Sequence, residues 1–525
     1  METKVTSVSK ATISFAETNQ FKNTFLDYIS GTIAEKGLGP TLPRLADLEV
    51  QMATKASFPA ASRSTLVQHL KEQYKTWGLA TDGLEIEQLA DSNAFTITTG
   101  HQLSIFLGPL YVIYKAISTI RIAEEAKLLY PDSNFIPVFW LSGEDHDIDE
   151  IGTIKAFGRD LKWETTQEGP AGFLNTDGLA VLLQGINGID TELWDIYLAQ
   201  PNLMAAQAHL LHHLLGSHGL VLLDASAHIL KKEFIPTLER ELLEGFSYHA
   251  VKAKTAKLEA AGYKAQIVPR ELNLFWMEKG LRKRIVAVGD GYQVLDSNSY
   301  TQAEMLELVR TQPENFSPNV VLRPLYQETI LPNLAYVGGP AELAYWLQLT
   351  DVFTAACVPL PLLWPRNSAL VLQDSSWRKW EKLGLNMRDA FLTPAERKHK
   401  ILANQAEERP IFAEEQKLIA SAFEILTQKA KAIDATLVES IAADQSRLEK
   451  QVEASTKKIE KAFERKYEQV LQQVERIVDK INPGGALQER SESFLSMTTT
   501  YPNFIDILLQ NFHPEQAELV IFTLL

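Results

Sequence analysis

The chain has 525 residues, 45% of them hydrophobic and 22% charged, with a formal net charge of −15. This composition suffices for a large buried core and more than one domain, and it excludes a disordered or fibrous protein. The acidic balance argues against nucleic acid as the main partner, because phosphate binding needs a concentrated basic surface.

The sequence also gives expectations about location. No run of eighteen apolar residues occurs, and the first twenty residues lack the apolar centre of a signal peptide. We therefore expect a cytoplasmic protein without a membrane partner. The single cysteine, Cys357, excludes an internal disulfide and fits a reducing compartment. Because it lies in the apolar run 353–363, it is predicted to be buried.

Residues 1–385 alternate short apolar runs with amphipathic stretches, which predicts an α/β, Rossmann-like core whose parallel strands are joined by crossover helices. The predicted strands are 95–99, 136–142, 220–224, 320–323 and 359–364. Helical periodicity covers 109–130 and 204–215, and Gly216 is expected to end the second helix in a left-handed conformation. Glycine-rich turns predict connective insertions with small β elements at about 155–200 and 250–315.

The first motif follows the first predicted strand. Gly100, His101 and Gln102 are followed by Gly108 and then by a helix. Phosphates bind at such junctions in Rossmann-like folds, because glycine lets backbone N–H groups approach an anion and the helix N-terminus favours negative charge. Gly100, His101 and Gly108 are therefore candidates for nucleotide binding, and Gln102 for substrate binding. The alternative is a turn glycine beside a histidine that bonds only to the backbone.

The second motif is acidic and follows the second strand. It contains Glu144, Asp145, His146, Asp147 and Asp149. Crowded carboxylates raise one another's pKa values and are tolerated where a cation, a substrate amine or a metal offsets them. The first four are predicted to be catalytic and Asp149 to bind substrate. No zinc spacing is present, and the alternative is a solvated acidic loop.

Polar and aromatic residues crowd the segment 322–349. Arg323, Gln327 and Glu328 are candidates for recognising the polar groups of a small substrate, and Tyr336 and Trp346 for its flat wall. The alternative is ordinary packing around a turn.

Two further sites are predicted near the ends of later strands. Gly338 and Gly339 precede Pro340, which opens a helix, so they offer a second backbone site for an anion, with Glu342 of the first turn facing the substrate. Arg366 and Asn367 follow the last predicted strand and are candidates for a phosphate clamp at the carboxyl edge of the sheet.

Residues 386–485 change in character. Thr393 and Pro394 predict the start of a helix, and 414–481 contains neither proline nor glycine. Apolar residues at three-four spacing predict an antiparallel coiled-coil arm. The stripe fits a hairpin within one chain or a seam between two chains equally well. Residues 486–525 are expected to pack back on the core.

Several blocks together resemble the bacillithiol cysteine ligase family over nearly the whole chain. They are TGHQ (99–102) with GPLY (108–111), PVFW (137–140) with GEDHD (143–147), LRPLYQE (322–328) and YVGGP (336–340). The resemblance implies a Rossmann-like core related to nucleotidyltransferases and a coiled coil that forms a homodimer. It also implies the last step of bacillithiol synthesis, in which L-cysteine is joined through an amide bond to glucosaminyl malate.

The resulting hypothesis is a carbon–nitrogen ligase that uses ATP with Mg²⁺ to convert the cysteine carboxylate to an acyl adenylate, which the amine of the aminosugar attacks. One alternative is a metal-dependent amide or sugar transferase or hydrolase, with Asp145, His146, Asp147 and Asp149 as ligands. Another is a non-catalytic scaffold that holds partner proteins through the coiled coil. Metal analysis distinguishes the first alternative, and protein partners without nucleotide binding distinguish the second.

Overall fold

The computed structural model describes residues 8–184, 191–404 and 412–524. The chain divides into two compact units, a core unit (Met1–Val371 with Ala486–Leu525) and a helical unit (Leu372–Gly485). Parts of the predicted insertion at 155–200 and of the predicted arm, namely 185–190 and 405–411, lie outside the described residues.

Four groups of strands are present in the described chain. They are, in chain order, β1 (Val8–Ile13), β2 (Ala94–Gln102), β3 (Asn134–Ser142), β4 (Thr153–Ala156), β5 (Arg159–Lys162), β6 (Val221–Leu223), β7 (Leu274–Glu278), β8 (Leu281–Val288), β9 (Gly291–Val294), β10 (Ser299–Thr301), β11 (Phe316–Pro318), β12 (Asn333–Gly338), β13 (Leu362–Pro365), β14 (Ser368–Gln373) and β15 (Leu519–Leu524).

The central sheet contains five parallel strands in the order β13-β12-β2-β3-β6, which confirms the predicted α/β class. Its strands are almost wholly buried, as expected of apolar runs covered on both faces. Phe95, Ile97, Phe135, Val337 and Trp364 pack together in one core cluster. Because β2 pairs with β3 on one side and with β12 on the other, the strand order reverses there. Ligands of such sheets bind beyond the carboxyl ends at this reversal.

One predicted strand is wrong. Residues 320–322 form a turn, and a helix begins at Arg323. The Asn319 side chain accepts a hydrogen bond from the Val321 backbone, and the Asn319 carbonyl accepts one from the Arg323 backbone. This turn, with Pro324 in the first helical turn, ends any extended conformation. The strand of this region is β12 instead.

The helices of the core unit surround these strands. They are Asn23–Ile29, Thr32–Glu35, Leu48–Lys55, Ala60–Trp77, Tyr111–Leu129, Ile148–Ile151, Thr191–Leu198, Leu203–Leu215, His228–Lys231, Ile235–Glu244, Phe246–Ala260, Gln302–Thr311, Arg323–Ile330, Pro340–Ala356, Gln488–Ser491, Phe494–Thr500 and Phe504–Asn511. No helix within the described ranges combines the length and apolarity needed to cross a membrane.

Two predictions about single residues are wrong. Gly216 is right-handed, and a further helical turn follows before Gly219 adopts the left-handed conformation at φ +78°. Cys357 is exposed rather than buried, and it ends the helix Pro340–Ala356 in a left-handed conformation.

A second, antiparallel sheet has the order β10-β9-β8-β7-β11 and lies mostly within the insertion predicted at 250–315. In β8, Arg282 and Arg284 alternate with their neighbours and therefore share one face of the strand. A third sheet pairs β15 with β1 and β14, so the last described residues belong to the core unit.

The helical unit contains Asp374–Lys382, Pro394–Asn404, Ala413–Ile433, Leu437–Lys466 and Glu468–Ile481. Thr393 caps the second of these through reciprocal hydrogen bonds with Glu396, which confirms the predicted helix start. The third and fourth pack together across a three-residue turn, and so run antiparallel.

Candidate functional site

A cavity of about 780 Å³ lies at the carboxyl edge of the central sheet. The residues at the ends of β2, β3, β6, β12 and β13 supply one side, and residues of the antiparallel sheet supply the other. Ten of the residues predicted from sequence line it. They are Gly100, His101, Gln102, Glu144, Asp145, Arg323, Tyr336, Gly339, Glu342 and Arg366.

The other nine predicted residues are not among those that line this cavity. They are His146, Asp147, Asp149, Gln327, Glu328, Trp346, Gly108, Gly338 and Asn367. For each of them the structure gives a local reason.

The acidic motif is split between different partners. Lys231 donates to Glu144 at 2.7 Å, with the lysine side chain fully buried. Gln102 donates to Asp145 at 2.6 Å, and Arg282 lies 4.0 Å from the same carboxylate. Burial opposes ionisation of Asp145, but hydrogen bonds from His146 and Gln102 and the charge of Arg282 hold its pKa well below its usual range. The expectation that crowding raises carboxylate pKa values is therefore wrong for Asp145.

The end of the acidic motif turns away from the cavity. Asp147 caps its own short helix by accepting from the Glu150 backbone at 3.2 Å, and the Asp149 side chain is 89% exposed. His146 accepts from Arg282 at 3.0 Å and so supports an arginine of the cavity wall. In the described ranges, no three His, Cys, Asp or Glu side chains converge as metal ligands. The ligand set of the metal-dependent alternative is thus not assembled.

The backbone sites predicted for phosphates are filled by the protein itself. Gly100 belongs to β2, where it pairs with Trp140, and its carbonyl accepts from the buried Lys115 ammonium. The backbone N–H of Gly339 donates to the Glu342 carboxylate at 2.7 Å. Lys115 donates to the same carboxylate at 2.7 Å, so it neutralises a charge that already occupies the helix N-terminus.

The other two glycines, Gly108 and Gly338, have roles in the backbone conformation. Gly108 adopts φ +70° in the buried turn after β2, and a Cβ there would lie 2.9 Å from the Ser104 Cβ. Gly338 is buried at the end of β12, and its carbonyl accepts from the Arg366 backbone. Neither glycine presents a backbone donor to the cavity.

His101 lies at the cavity wall beside Tyr111, whose hydroxyl is 3.4 Å from its Nε2. Burial, together with the nearby Lys115 charge, lowers the pKa of His101 to about 3. The imidazole is therefore neutral at neutral pH. It offers a hydrogen bond to a ligand rather than a positive charge.

Arg366 is buried and bound to the buried Glu489 through two hydrogen bonds of 2.9 and 2.6 Å. Its charge is thus neutralised within the fold, while its Nε atom has no hydrogen-bond partner in the described chain. Asn367 is buried behind it, between the Ser118 hydroxyl and the His513 carbonyl. Asn367 fixes the chain and is not among the residues that line the cavity.

Arg323 projects between the rings of Trp140 and Tyr336, at 5.3 and 5.5 Å from their centres. Gln327 accepts from its Nη1 at 3.1 Å, and Nη2 has no partner among the described residues. Glu328 accepts from the buried Lys55 at 2.9 Å and is enclosed in the core. Gln327 thus holds the arginine, and Glu328 holds Gln327 by accepting from its amide at 3.0 Å.

Trp346 stacks on Tyr336 at 4.4 Å and is fully buried behind the wall that Tyr336 forms. Its role is to fix the orientation of Tyr336. The aromatic wall predicted from sequence therefore consists of a lining ring and a supporting ring.

Sequence reasoning missed most of the cations. Arg270, Arg282, Arg284 and Arg490 line the cavity, and Lys115 and Lys231 neutralise its acids. Two signals were available. Lys115 is a single charge within an apolar helical stretch, and Arg282 and Arg284 alternate along one strand.

Six arginines and five carboxylates thus line one cavity. Guanidinium groups bind carboxylates and phosphates, and carboxylates bind ammonium groups. The arrangement suits small molecules that carry both kinds of charge.

Comparisons with known proteins agree with this picture. A model described as Bacillithiol biosynthesis BshC, N-terminal Rossmann-like domain matches residues 8–367, and its C-terminal coiled-coil counterpart matches residues 369–524. A protein of Cytophaga hutchinsonii is 36% identical over 504 residues, which cover 96% of each chain. A protein of Flavobacterium johnsoniae is 36% identical over 530 residues, which cover 98% of this chain and 99% of the relative. Both relatives carry the name "Putative cysteine ligase BshC".

Proposed function

The chain belongs to the BshC family of bacillithiol biosynthesis, and we therefore propose that it is a ligase that joins L-cysteine to glucosaminyl malate. The reaction forms an amide bond between the cysteine carboxyl group and the amine of the aminosugar. It is the last step of bacillithiol synthesis.

The observation that carries the proposal is the pairing of an arginine wall with carboxylates in one cavity. Glucosaminyl malate carries two carboxylates and an amine, and cysteine carries one of each. Arg282 and Arg323 are suited to the carboxylates of malate, since Arg323 retains an unpartnered buried Nη2 atom. Glu144 and Asp145 are suited to an ammonium group at the end of β3.

Activation of the carboxylate is the step that needs a further substrate. A carboxylate is a poor electrophile, and ATP makes it reactive by converting it to an acyl adenylate. The cavity residues fit an anion such as a nucleotide phosphate, since the buried Arg366 Nε and Arg323 Nη2 atoms both lack partners in the described chain. No three His, Cys, Asp or Glu side chains converge among the described residues, and Mg²⁺ enters the proposal as the counter-ion of the phosphates, where it needs only one or two protein carboxylates.

The helical unit supports a homodimer. Leu418, Ile425, Ile433, Leu437 and Leu448 are exposed on its two long helices. Apolar stripes on helical hairpins are covered by partner helices in coiled coils. We propose that two chains associate through this surface.

The direct experiment is incubation of the purified protein with cysteine, glucosaminyl malate and ATP, followed by detection of the product by mass. We expect product from the wild type and little from Glu144→Ala. Glu307→Ala removes the same charge from an exposed helix position, and should leave product unchanged. Equal product from Glu144→Ala and wild type would reject the site.

Deletion of the gene from its host tests the pathway separately. The expected result is loss of bacillithiol with accumulation of glucosaminyl malate. A normal thiol level in the deletion strain contradicts the assignment.

A further inference from the structure

The carboxylates of the cavity differ in how their charges are compensated. Glu144 is paired with a lysine, Asp145 lies beside Arg282, and Glu342 is paired with Lys115. Glu150 accepts from the Gln102 amide at 3.1 Å. Asp224, which also lines the cavity, forms no salt bridge with any residue of the described ranges.

Asp224 follows β6, and side chains of the helix Ala60–Trp77 hold its backbone in place through hydrogen bonds. Its N–H donates to the Gln73 side chain at 2.8 Å, and its carbonyl accepts from His69 at 2.8 Å. Gln73 and His69 are themselves buried. Since β6 is an edge strand, these side chains replace a neighbouring strand and hold the end of β6 in place. On the other side, the Asp224 carboxylate accepts from the Ser226 backbone at 3.0 Å.

The surroundings of Asp224 favour a carboxylate that exchanges protons. Burial and the charge of Glu144 raise the pKa of the Asp224 carboxylate, whereas hydrogen bonds from Ser226 and the charge of His69 act in the opposite direction. A general base is most effective when its pKa approaches the operating pH. Asp145, held strongly ionised, and His101, with a pKa of about 3, are weaker proton acceptors.

We propose that Asp224 is the general base that accepts the proton of the attacking amine in the amide-forming step. The inference rests on the proposed function. The amine nitrogen forms a bond to the activated cysteine carbonyl carbon, and the bond from that carbon to the adenylate oxygen breaks, with AMP taking the electron pair. The proton lost from nitrogen passes to the Asp224 carboxylate.

A second cavity gives this carboxylate a route for the proton. Asp224, Glu144 and Ser226 also line a cavity of about 310 Å³, together with Met204 and Met277. A carboxylate that borders both cavities can take a proton from a substrate in one and release it to water in the other. Asp224 interacts through its charge with Glu144 and with the buried Lys231.

The test compares Asp224→Asn with wild type in two reactions. Asparagine keeps the shape of the side chain and the acceptor for the Ser226 N–H but cannot take up a proton. We expect cysteine-dependent exchange of labelled pyrophosphate into ATP to stay within about twofold of wild type, because it precedes the amine. Amide formation should fall by ~100-fold or more, and its dependence on pH at the acid side should change. Asp160→Asn, an equal change at an exposed hairpin position, is the matched control.

Asp224→Glu is the second variant. It keeps the carboxylate and should recover part of the amide-forming rate. The inference is overturned if Asp224→Asn forms product at a rate close to wild type, or if it loses pyrophosphate exchange and product together. Absence of product from the wild type would overturn the proposed function and the inference with it.

Discussion

The buried Arg366–Glu489 ion pair beside the cavity leads to a prediction about the stability of the core unit. Both side chains are buried, at 2% and 0% exposure, and Glu489 has Arg366 as its partner cation. Arg366→Met leaves an uncompensated buried carboxylate, which costs about 3–5 kcal/mol. The core unit has roughly 400 residues, so its unfolding entropy is ~0.8 kcal/mol/K and the expected loss in Tm is about 4–6 °C.

The assay is differential scanning calorimetry of three variants at neutral pH. Arg366→Met/Glu489→Leu removes both charges and should recover most of the lost Tm, because an apolar pair of similar volume tolerates burial. Arg310→Met removes an arginine from an exposed pair with Glu239, where a loss of no more than about 1 kcal/mol is expected. A Tm for Arg366→Met within 1 °C of wild type, or a double variant no better than the single, refutes the reasoning.

Three further predictions follow from other contacts. His101 has a pKa of about 3 in the folded protein, against ~6.5 in the unfolded chain. Its contribution to stability is therefore complete above pH 6.5 and is lost as the pH falls. Between pH 7 and 4, urea titrations should show that the free energy of unfolding of the wild type falls by up to about 3 kcal/mol more than that of His101→Gln. Gly100→Ala places a Cβ 2.8 Å from the Trp140 Cβ and should lower the free energy of unfolding by ~1–3 kcal/mol in the same titration. An unchanged free energy of unfolding would mean that the two strands move apart without cost. Leu448→Glu should convert a dimer to a monomer in sedimentation experiments without loss of helix content, and a dimer that persists excludes this surface.

The fold was largely predictable because its signals are local. Buried parallel strands are short apolar runs, and four of the five predicted runs overlap strands of the sheet. The failure at 320–323 came from treating three apolar residues as a strand although Asn319 and Pro324 favour a turn and a helix start. Side-chain hydrogen bonds of this kind depend on conformation and leave little trace in composition.

The position of the cavity was predictable from sequence, but the contacts inside it were not. The carboxyl-edge rule brought Gly100, Asp145 and Arg366 to one cavity. It did not reveal that the Glu342 carboxylate accepts the hydrogen bond of the Gly339 backbone N–H, because this contact depends on the geometry of the first helical turn. The arginines of β8 were missed since they come from a different sheet, about 140 residues along the chain from the acidic motif that they face.

A crystal structure of the protein with glucosaminyl malate tests the central claim most directly, namely that distant segments of the core unit form one substrate cavity. We expect the malate carboxylates to lie against Arg282 and Arg323, with the amine of the sugar directed towards the carboxylates at the ends of β3 and β6. A ligand bound to a surface that shares no residue with this cavity would contradict it.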